Sequence, residues 1–199
     1  MKKRWIVGVT GASGIRYALR LIECLVPHVD ELHVCFSDAA LRVLLDEEGV
    51  KSAHASLIQL PCFSNFKGNV VIHNPRDIGA AIASGSFITE GMVIIPCSMS
   101  TVGALASGVQ QHLVHRAAEV VMKEGRRLII VPRETPLSTL HLENLAKLSS
   151  RGVSIVPAMP GFYHRPNTLD QLIDMMVLKV LDQMGIHTEL VARWSGQKP

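Results

Sequence analysis

The sequence contains no apolar run that approaches the roughly 18 residues needed to cross a bilayer. Its opening, MKKRWIVGVTGASG, has the basic start of a signal peptide, but the apolar stretch 5–9 is too short and leads directly into a glycine turn. We therefore predict a cytoplasmic protein with no membrane segment. The four cysteines form no Cys-x-x-Cys pair, which in this setting predicts reduced thiols, mostly in the core. They are Cys24, Cys35, Cys62 and Cys97.

The sequence also lacks the features of a nucleic-acid-binding protein. The formal net charge is +3, the basic residues are dispersed, and aromatic residues make up only 5%, so neither a basic stripe nor a stacking platform is expected. No repeat, low-complexity segment or Gly/Ser linker divides the chain. We predict a single domain over residues 1–187 and a tail over 188–199 that carries Trp194 and packs on a neighbouring subunit.

Short apolar runs alternate with longer stretches in which apolar residues are spaced by three and four. This alternation is typical of repeated βαβ units, and runs that are apolar at every position predict strands covered on both faces. The sequence therefore predicts an α/β fold with a mostly parallel β-sheet. The predicted strands are 5–10, 32–36, 70–73, 92–96, 128–132 and 153–157, and the predicted helices are 15–25, 39–46, 112–123, 139–149 and 169–184. The segment 49–69 gives no clear pattern.

Ligands of parallel sheets bind beyond the carboxyl ends of the strands, so the residues that follow each predicted strand are candidates for a ligand site. The first strand is followed by the glycine turn 10–14, whose amides and Ser13 hydroxyl open a helix and predict a phosphate site. The turn lacks the Gly-x-Gly-x-x-Gly spacing, and the second strand ends in Phe36-Ser37-Asp38, so a mononucleotide fits better than NAD. The alternative is an ordinary turn with a serine cap.

Two further strand ends carry candidate groups. After the fourth strand, the hydroxyl-rich residues 96–101 lead into a Gly- and Ala-rich helix, which predicts either close approach of a ring or phosphate, or only a tightly packed capped helix. After the fifth strand, Arg133 and Glu134 lie between Pro132 and Pro136 on a stiffened loop. A cation and a carboxylate held there can bind an anion and deliver a proton, whereas the alternative is a surface salt bridge.

Other candidates are weaker on their own. The Tyr163 hydroxyl is placed to donate to a phosphate or else belongs to simple aromatic packing. Arg116, Lys123 and Lys179 lie on predicted helices, where a solvated surface cation is more common than a ligand. His112 and His115 share a helical face, yet no carboxylate or cysteine ligand is near them in sequence, so no metal site is expected.

Seven motifs, in order along most of the chain from about residue 5 to 194, together resemble the UbiX family of flavin prenyltransferases. They are Gly11-Ala12-Ser13-Gly14, Ser84-Gly85-Ser86, Pro96-Cys97-Ser98, His115-Arg116-Ala117-Ala118-Glu119-Val120, Val131-Pro132-Arg133-Glu134-Thr135-Pro136, His141-Leu142-Glu143-Asn144 and Gly161-Phe162-Tyr163-His164. The resemblance implies a Rossmann-like three-layer flavoprotein fold, a homododecamer built from trimers with sites shared between subunits, and prenylated FMN as the product. UbiD-type decarboxylases are then the users of that product.

The resemblance also implies roles for individual residues. Expected FMN contacts are Gly11, Ala12, Ser13, Ser37, Ser98, Met99, Ser100, Thr101 and Arg116. Expected phosphate contacts of the prenyl donor are Lys123, Arg133, Tyr163 and Lys179. Expected catalytic residues are Ser13, Glu47, Lys123, Arg133, Glu134 and Trp194. Two departures from the family pattern stand out: Lys179 occupies a position where arginine is frequent, and the usual Lys-Glu-Arg run reads Lys123-Glu124-Gly125, which predicts a looser helix end.

The implied reaction joins dimethylallyl monophosphate to N5 and C6 of reduced FMN. Cations compensate the charge of the leaving phosphate, Glu134 relays a proton, and Ser13 and Glu47 orient groups around N5. The chain has no Asp-Asp pair, and a monophosphate can be met by protein cations, so no metal is expected. FMN serves as a substrate, and an outside reductase must supply its reduced form.

Three other functions remain open at this point. A flavin-dependent cysteine decarboxylase has the same fold, but residues 96–101, PCSMST, do not resemble its Pro-Ala-Ser-Ala-Asn-Thr motif. An aromatic-acid decarboxylase and a non-catalytic flavin carrier are the other two. Release of carbon dioxide indicates a decarboxylase, a change in flavin mass indicates prenylation, and tight FMN binding without turnover indicates a carrier.

Overall fold

The computed structural model describes residues 2–25, 27–51, 53–64, 69–193 and 196. Its strands are β1 (Arg4–Val9), β2 (Glu31–Phe36), β3 (Asn69–His73), β4 (Gly91–Cys97), β5 (Arg127–Pro132) and β6 (Ser154–Ile155). Its α-helices are α1 (Ile15–Leu25), α2 (Asp38–Glu48), α3 (Met99–Ser107), α4 (Leu113–Lys123), α5 (Thr139–Ser149) and α6 (Leu169–Met184). None of the helices within these ranges is both long enough and apolar enough to cross a membrane.

The strands form one parallel sheet in the order β3-β2-β1-β4-β5-β6. This arrangement confirms the predicted α/β fold. The chain runs outward from β1 in one direction through β2 and β3, and in the other through β4, β5 and β6. The order therefore reverses between β1 and β4, and in open parallel sheets a ligand binds at the carboxyl end of that switch point.

Alternate residues of the strands build two separate cores, because successive side chains point to opposite faces of a sheet. On one face, Val7 and Val9 pack in a buried cluster with residues of α1 and α6, such as Leu21 and Val177. On the other face, Ile6 packs in a second buried cluster with residues of α3 and α4. Helices thus cover both faces of the sheet, which gives the three-layer arrangement and explains the continuous apolar character of the central strands.

The segment 49–69, which the sequence pattern left open, contains two short 3₁₀ helices at His54–Gln59 and Pro61–Phe63. Three-residue periodicity over one or two turns gives too few repeats for a pattern to be recognised. The segment nevertheless contributes to the core, because Leu57 and Phe63 are buried in the cluster that covers α1. The last strand, β6, is shorter than the predicted 153–157 and ends two residues before Pro157, which has no N–H to donate.

Gly125 corrects the expectation of a loose end to α4. It adopts φ 66°, a left-handed conformation that glycine takes without steric cost. Its N–H donates to the Met122 carbonyl at 3.0 Å, and the Arg126 N–H donates to the Val121 carbonyl at 2.9 Å. These two bonds form a Schellman motif, which closes the C-terminus of the helix after Lys123. Glycine here ends the helix in an ordered turn.

Candidate functional site

The carboxyl ends of β1 and β4 are joined through the side chain of Thr10. Its hydroxyl donates to the Pro96 carbonyl at 2.9 Å and accepts from the Ser98 N–H at 2.8 Å. Thr10 is buried, so water does not compete for either bond. The first residues after both strands are therefore held in a fixed position at the switch point of the sheet.

A cleft of about 360 Å³ opens at this point. Five of the predicted flavin contacts line it, namely Gly11, Ser37, Ser98, Ser100 and Thr101. The cleft is also lined by Thr10, Asp38, Ala39, Pro75, Arg76, Gln111, His112 and His115. Sequence reasoning named none of these eight as a flavin contact, although Thr10 begins the glycine turn predicted to bind a phosphate and His115 begins one of the family motifs.

Two helix N-termini meet at the cleft. The Ser37 Oγ accepts from the Ala40 N–H at 3.1 Å and caps α2, and the Ser98 Oγ accepts from the Thr101 N–H at 3.3 Å and caps α3. The amides and dipole of a helix N-terminus favour an anion. Between the two helices the backbone passes through Gly11, where an added Cβ would clash with the Cβ of Ala39. Only glycine therefore allows the turn to approach α2 this closely.

Charged and titratable groups surround the mouth of the cleft. Asp38 accepts hydrogen bonds from His54 Nε2 at 3.0 Å and from Arg76 Nη2 at 3.2 Å. These bonds, first that of His54 and then that of Arg76, lower the pKa of Asp38. Deeper in the cleft, burial lowers the pKa of His112. Burial, together with the neighbouring His112, lowers the pKa of His115 to about 4.

The N-terminus of α1 has a partner within the protein. Glu47 accepts hydrogen bonds from the backbone N–H groups of Gly14 and Ile15, each at 2.9 Å. The sequence interpretation that these helix-opening amides bind a phosphate is therefore wrong for these two groups, because a carboxylate of α2 already satisfies them. The glycine turn instead faces the cleft through Gly11.

Arg133 and Glu134 lie beside the same turn. The Arg133 Nε donates to the Ser13 carbonyl at 3.2 Å, and the Arg133 N–H donates to the Cys97 carbonyl at 3.3 Å. The Glu134 side chain is exposed and accepts from the N–H of its neighbour Thr135 at 3.1 Å. The structure thus brings the loop after β5 next to the turn after β1, with a solvent-accessible carboxylate at its edge.

Three other predicted flavin contacts do not line the cleft. Ala12 and Met99 are buried, and the Met99 side chain belongs to the core cluster beneath α3. Arg116 lies outside the residues that line the cleft and pairs with Glu119 one turn along α4 at 3.0 Å. Within one chain, then, this arginine is held by a neighbour on its own helix.

The predicted phosphate-binding residues Lys123, Tyr163 and Lys179 are spread around the chain. Lys123 is the last residue of α4, and the first turn of this helix lies at the cleft. The eleven residues of α4 span about 16 Å, so Lys123 lies about that far from the cleft. Its Nζ pairs with Glu124 at 2.7 Å, beside Gly85. Tyr163 is exposed on the loop after β6, and Lys179 lines a separate cleft of about 510 Å³ beside that strand. Trp194 lies outside the described residues, so its place at the site stays a prediction.

Among residues 2–25, 27–51, 53–64, 69–193 and 196, no three His, Cys, Asp or Glu side chains form a group suited to a metal ion. The cleft is instead rich in backbone amides and hydroxyls, which are donors suited to a phosphate. Gly11 forms part of its wall. The donor set therefore fits the phosphate of a flavin mononucleotide.

Comparison with known proteins identifies relatives along the whole chain. The flavoprotein family description matches residues 1–184. The flavin prenyltransferase UbiX of Halalkalibacterium halodurans is 45% identical over 98% of this chain and 94% of its own length. The flavin prenyltransferase LpdB of Lactiplantibacillus plantarum is 45% identical over 98% of this chain and 99% of its own.

Solved structures agree with these relatives. AnUbiX (PadA1), in complex with FMN and dimethylallyl pyrophosphate, superposes with a TM-score of 0.88 at 34% identity and covers 99% of this chain and 100% of its own. A dodecameric FMN-dependent UbiX-like decarboxylase from Escherichia coli O157:H7 gives 0.86 at 41% identity, over 97% and 100%. The peptidyl-cysteine decarboxylase EpiD, at 17% identity and a TM-score of 0.60, shares the fold alone. The chain therefore belongs to the flavoprotein family and, within it, to the flavin prenyltransferases of the UbiX type.

Proposed function

We propose that this chain transfers the dimethylallyl group of dimethylallyl monophosphate to N5 and C6 of reduced FMN. The observation that carries the proposal is the cleft at the switch point, where two serine-capped helix N-termini meet beside the glycine turn. The product is prenylated FMN, and UbiD-type decarboxylases are its proposed users. Reduced FMN acts here as the prenyl acceptor and is consumed as a substrate.

The phosphate of FMN binds between the N-termini of α2 and α3 in this proposal. Ser37, Ser98, Ser100 and Thr101 supply hydroxyls there, and the helix dipoles favour the negative charge. The isoalloxazine ring lies along the turn at Gly11, which lines the cleft. Ser13, Glu47 and Arg133 hold the turn that follows, because the Arg133 side chain donates to the Ser13 carbonyl and Glu47 accepts from the next amides.

The donor phosphate needs cations, and among the described residues Lys123 and Lys179 lie apart from the cleft of their own chain. Lys123 lies at the far end of α4 from the cleft, whereas Glu134 lies on the loop next to it. We therefore place Arg116 and Lys123 of one subunit at the cleft of another, in a dodecamer like that of the E. coli relative. The exposed Tyr163, Lys179 and the tail that carries Trp194 complete this shared site. Lys179 contributes a point charge, without the bidentate geometry of an arginine.

The chemistry then rests on positioning and charge. The allylic carbon–oxygen bond of the donor breaks as a bond to N5 forms, and cations stabilise the departing phosphate. A second bond, from C6 to the tertiary carbon of the prenyl C=C bond, closes the new ring. That double bond breaks, its other carbon takes up a proton, and C6 loses one. Glu134 is exposed and beside the turn, so it is placed to carry protons between the flavin and the phosphate.

The direct test is anaerobic incubation of the purified protein with reduced FMN and dimethylallyl monophosphate, followed by mass measurement of the released flavin. We expect a flavin heavier by one C₅H₈ unit, formed much more slowly by Glu134→Gln. The matched control is Glu90→Gln, an exposed carboxylate on the loop before β4. A parallel reaction with dimethylallyl diphosphate establishes which donor is preferred. Unmodified FMN from a folded, flavin-loaded protein would sink the proposal.

The shared site has its own test. Lys123→Ala and Glu134→Gln are each expected to lose most activity. If the two residues act in one site from different subunits, co-expressed variants form mixed oligomers in which some sites have both native residues. These oligomers regain part of the activity. Mixed oligomers that stay as inactive as the single variants would contradict the shared site while leaving the reaction itself in place.

A further inference from the structure

His115 is buried at the base of the cleft, with 2% of its surface exposed. It lies in the first turn of α4, and the backbone N–H of Gln111 donates to its Nδ1 at 3.3 Å. A neutral imidazole carries one proton, so a ring that accepts at Nδ1 has its proton on Nε2. The Nε2 lies 3.3 Å from the Thr101 Oγ1. His115 therefore donates to the Thr101 hydroxyl oxygen.

The same hydroxyl oxygen has a second donor. The Ser98 hydroxyl donates to Thr101 Oγ1 at 3.1 Å, while the Ser98 Oγ accepts from the Thr101 N–H at 3.3 Å. With two donors on its oxygen, Thr101 has its acceptor capacity filled and its own hydroxyl proton left to donate. Ser100 completes the cluster, with its Oγ 3.0 Å from that of Ser98. Because the Ser98 proton is directed to Thr101, Ser100 acts as the donor in this contact.

We propose that His115 is a positioning residue that holds the Thr101 hydroxyl in the donor orientation an anionic ligand requires. It does not touch the ligand in this arrangement. It acts by filling, together with Ser98, the acceptor positions of Thr101, so that the proton of this hydroxyl remains available to an anion in the cleft. The inference rests on the proposed FMN function, because it assumes that a phosphate binds at the Thr101 hydroxyl.

The surroundings of His115 keep it in the form that donates. Its ring stacks on that of His112, with centroids 3.9 Å apart and the planes at 28°. Burial and the adjacent His112 both disfavour an imidazolium, and the charged group beyond His112 is Asp38, which His54 and Arg76 already neutralise. A neutral ring with Nδ1 engaged by Gln111 has a single tautomer available.

The test compares FMN with riboflavin, which has the same ring and no phosphate. Dissociation constants are measured from flavin fluorescence for the wild type, His115→Leu and His115→Gln. We expect His115→Leu to weaken FMN binding by about 3- to 10-fold, the effect of one lost hydrogen bond, and to leave riboflavin binding unchanged. His115→Gln retains an N–H donor and recovers part of the loss. The control is His187→Leu, an exposed histidine after α6.

A double-mutant cycle separates positioning from simple packing. In a Thr101→Val background the hydroxyl that His115 holds is gone, so His115→Leu has no further effect on the preference for FMN over riboflavin. If His115→Leu weakens both ligands equally, His115 has only a structural role and the inference fails. If the wild type prefers FMN and His115→Leu leaves that preference intact, the inference fails and the phosphate site stands. A wild type without any preference for FMN overturns the phosphate site itself.

Discussion

The carboxylate of Glu47 accepts hydrogen bonds from the backbone N–H of Gly14 through both of its oxygens, at 2.9 and 3.0 Å. The Ile15 N–H adds a third bond to the same group at 2.9 Å. A residue in the last turn of α2 therefore satisfies backbone N–H groups in the first turn of α1. In many parallel α/β proteins, such N–H groups bind a ligand instead. Glu47, which does not line the cleft, holds the glycine turn through these bonds, while Gly11 of the same turn lines the cleft.

Glu47→Gln is expected to lower the free energy of unfolding by about 1 to 2 kcal/mol, because charge-assisted hydrogen bonds at a helix N-terminus are replaced by neutral ones. Urea unfolding followed by circular dichroism measures this change. Asp46→Asn is the matched control. Its carboxylate pairs with Arg42 on the exposed face of α2, and the substitution is expected to cost about 0.5 kcal/mol or less. Equal losses in the two variants would argue against the cap.

Gly125→Ala is expected to destabilise the protein by about 1 kcal/mol, because an L-residue at φ 66° is strained even where space is free. No atom lies within 4 Å of the added Cβ, so the effect reports on the backbone alone. Gly103→Ala in α3 is the comparison. It has an ordinary helical backbone and meets only an Asn144 side-chain atom at 3.6 Å, so a neutral or stabilising effect is expected. Thermal unfolding of both variants decides the matter, and similar shifts would contradict the Schellman motif.

Arg126→Ala is expected to loosen the loop that carries the Ser84-Gly85-Ser86 motif. The Arg126 guanidinium donates to the Gly85 carbonyl at 2.5 Å and to the Phe87 carbonyl at 2.7 Å, and the Schellman turn at Gly125 places it there. Hydrogen exchange over residues 84–90 should accelerate in this variant. The control is Arg127→Ala, which removes the exposed side chain of the next arginine. It should leave the exchange over residues 84–90 unchanged. Unaltered exchange in Arg126→Ala would mean that other contacts hold the loop.

Acid is expected to weaken the fold through buried histidines. His33 stacks on His73, with its Nδ1 at 2.9 Å from the His73 Nε2. Burial, reinforced by His73, lowers the pKa of His33 to about 4, although Glu31 opposes the shift. The unfolded state therefore binds more protons between pH 6.5 and pH 4, so stability is full above that window and falls as the pH drops through it.

Urea unfolding from pH 7.5 to pH 4.5 measures this dependence. His33→Gln removes one of the titrating groups, so its stability should decline less steeply than that of the wild type across the same window. The absolute stability of the variant is read at pH 7.5, where the wild-type histidine binds no proton in either state. Parallel pH profiles for the two proteins would exclude His33 as a source of the acid sensitivity.

The sequence pattern was sufficient for most of the scaffold. Apolar spacing correctly predicted α1, α5 and α6 to the residue, because each has an apolar face that the sheet or a neighbouring helix covers. It ended α2 two residues early, at 46, because the last residues of this helix are acidic and carry no apolar signal. Glu47 is in that missed turn. Its partnership with Gly14 depends on how two helices meet, which no local pattern encodes.

The candidate site likewise has parts that the sequence predicts and parts that depend on how distant elements pack. Turns that directly follow strands, such as that of Gly11 and that of Ser98, were predictable because parallel strands bring their carboxyl ends to one edge. The sequence analysis noted His115 for its spacing from His112 and within a family motif, but gave it no role, since its hydrogen bond to Thr101 depends on the packing of α4 against α3. Lys123 is separated from the cleft of its own chain by the length of α4, so its role at a cleft stays a proposal that involves a neighbouring subunit.

The double role of the Thr10 hydroxyl has a consequence for how a ligand enters. One wall of the cleft is anchored to the two central strands through this buried group, and moving it would break both of its bonds in a place that water does not reach. Arg76 also lines the cleft, and its guanidinium forms an exposed ion pair with Asp38. Because an exposed ion pair is easier to break than two buried hydrogen bonds, we expect a ligand to enter on the side of Arg76.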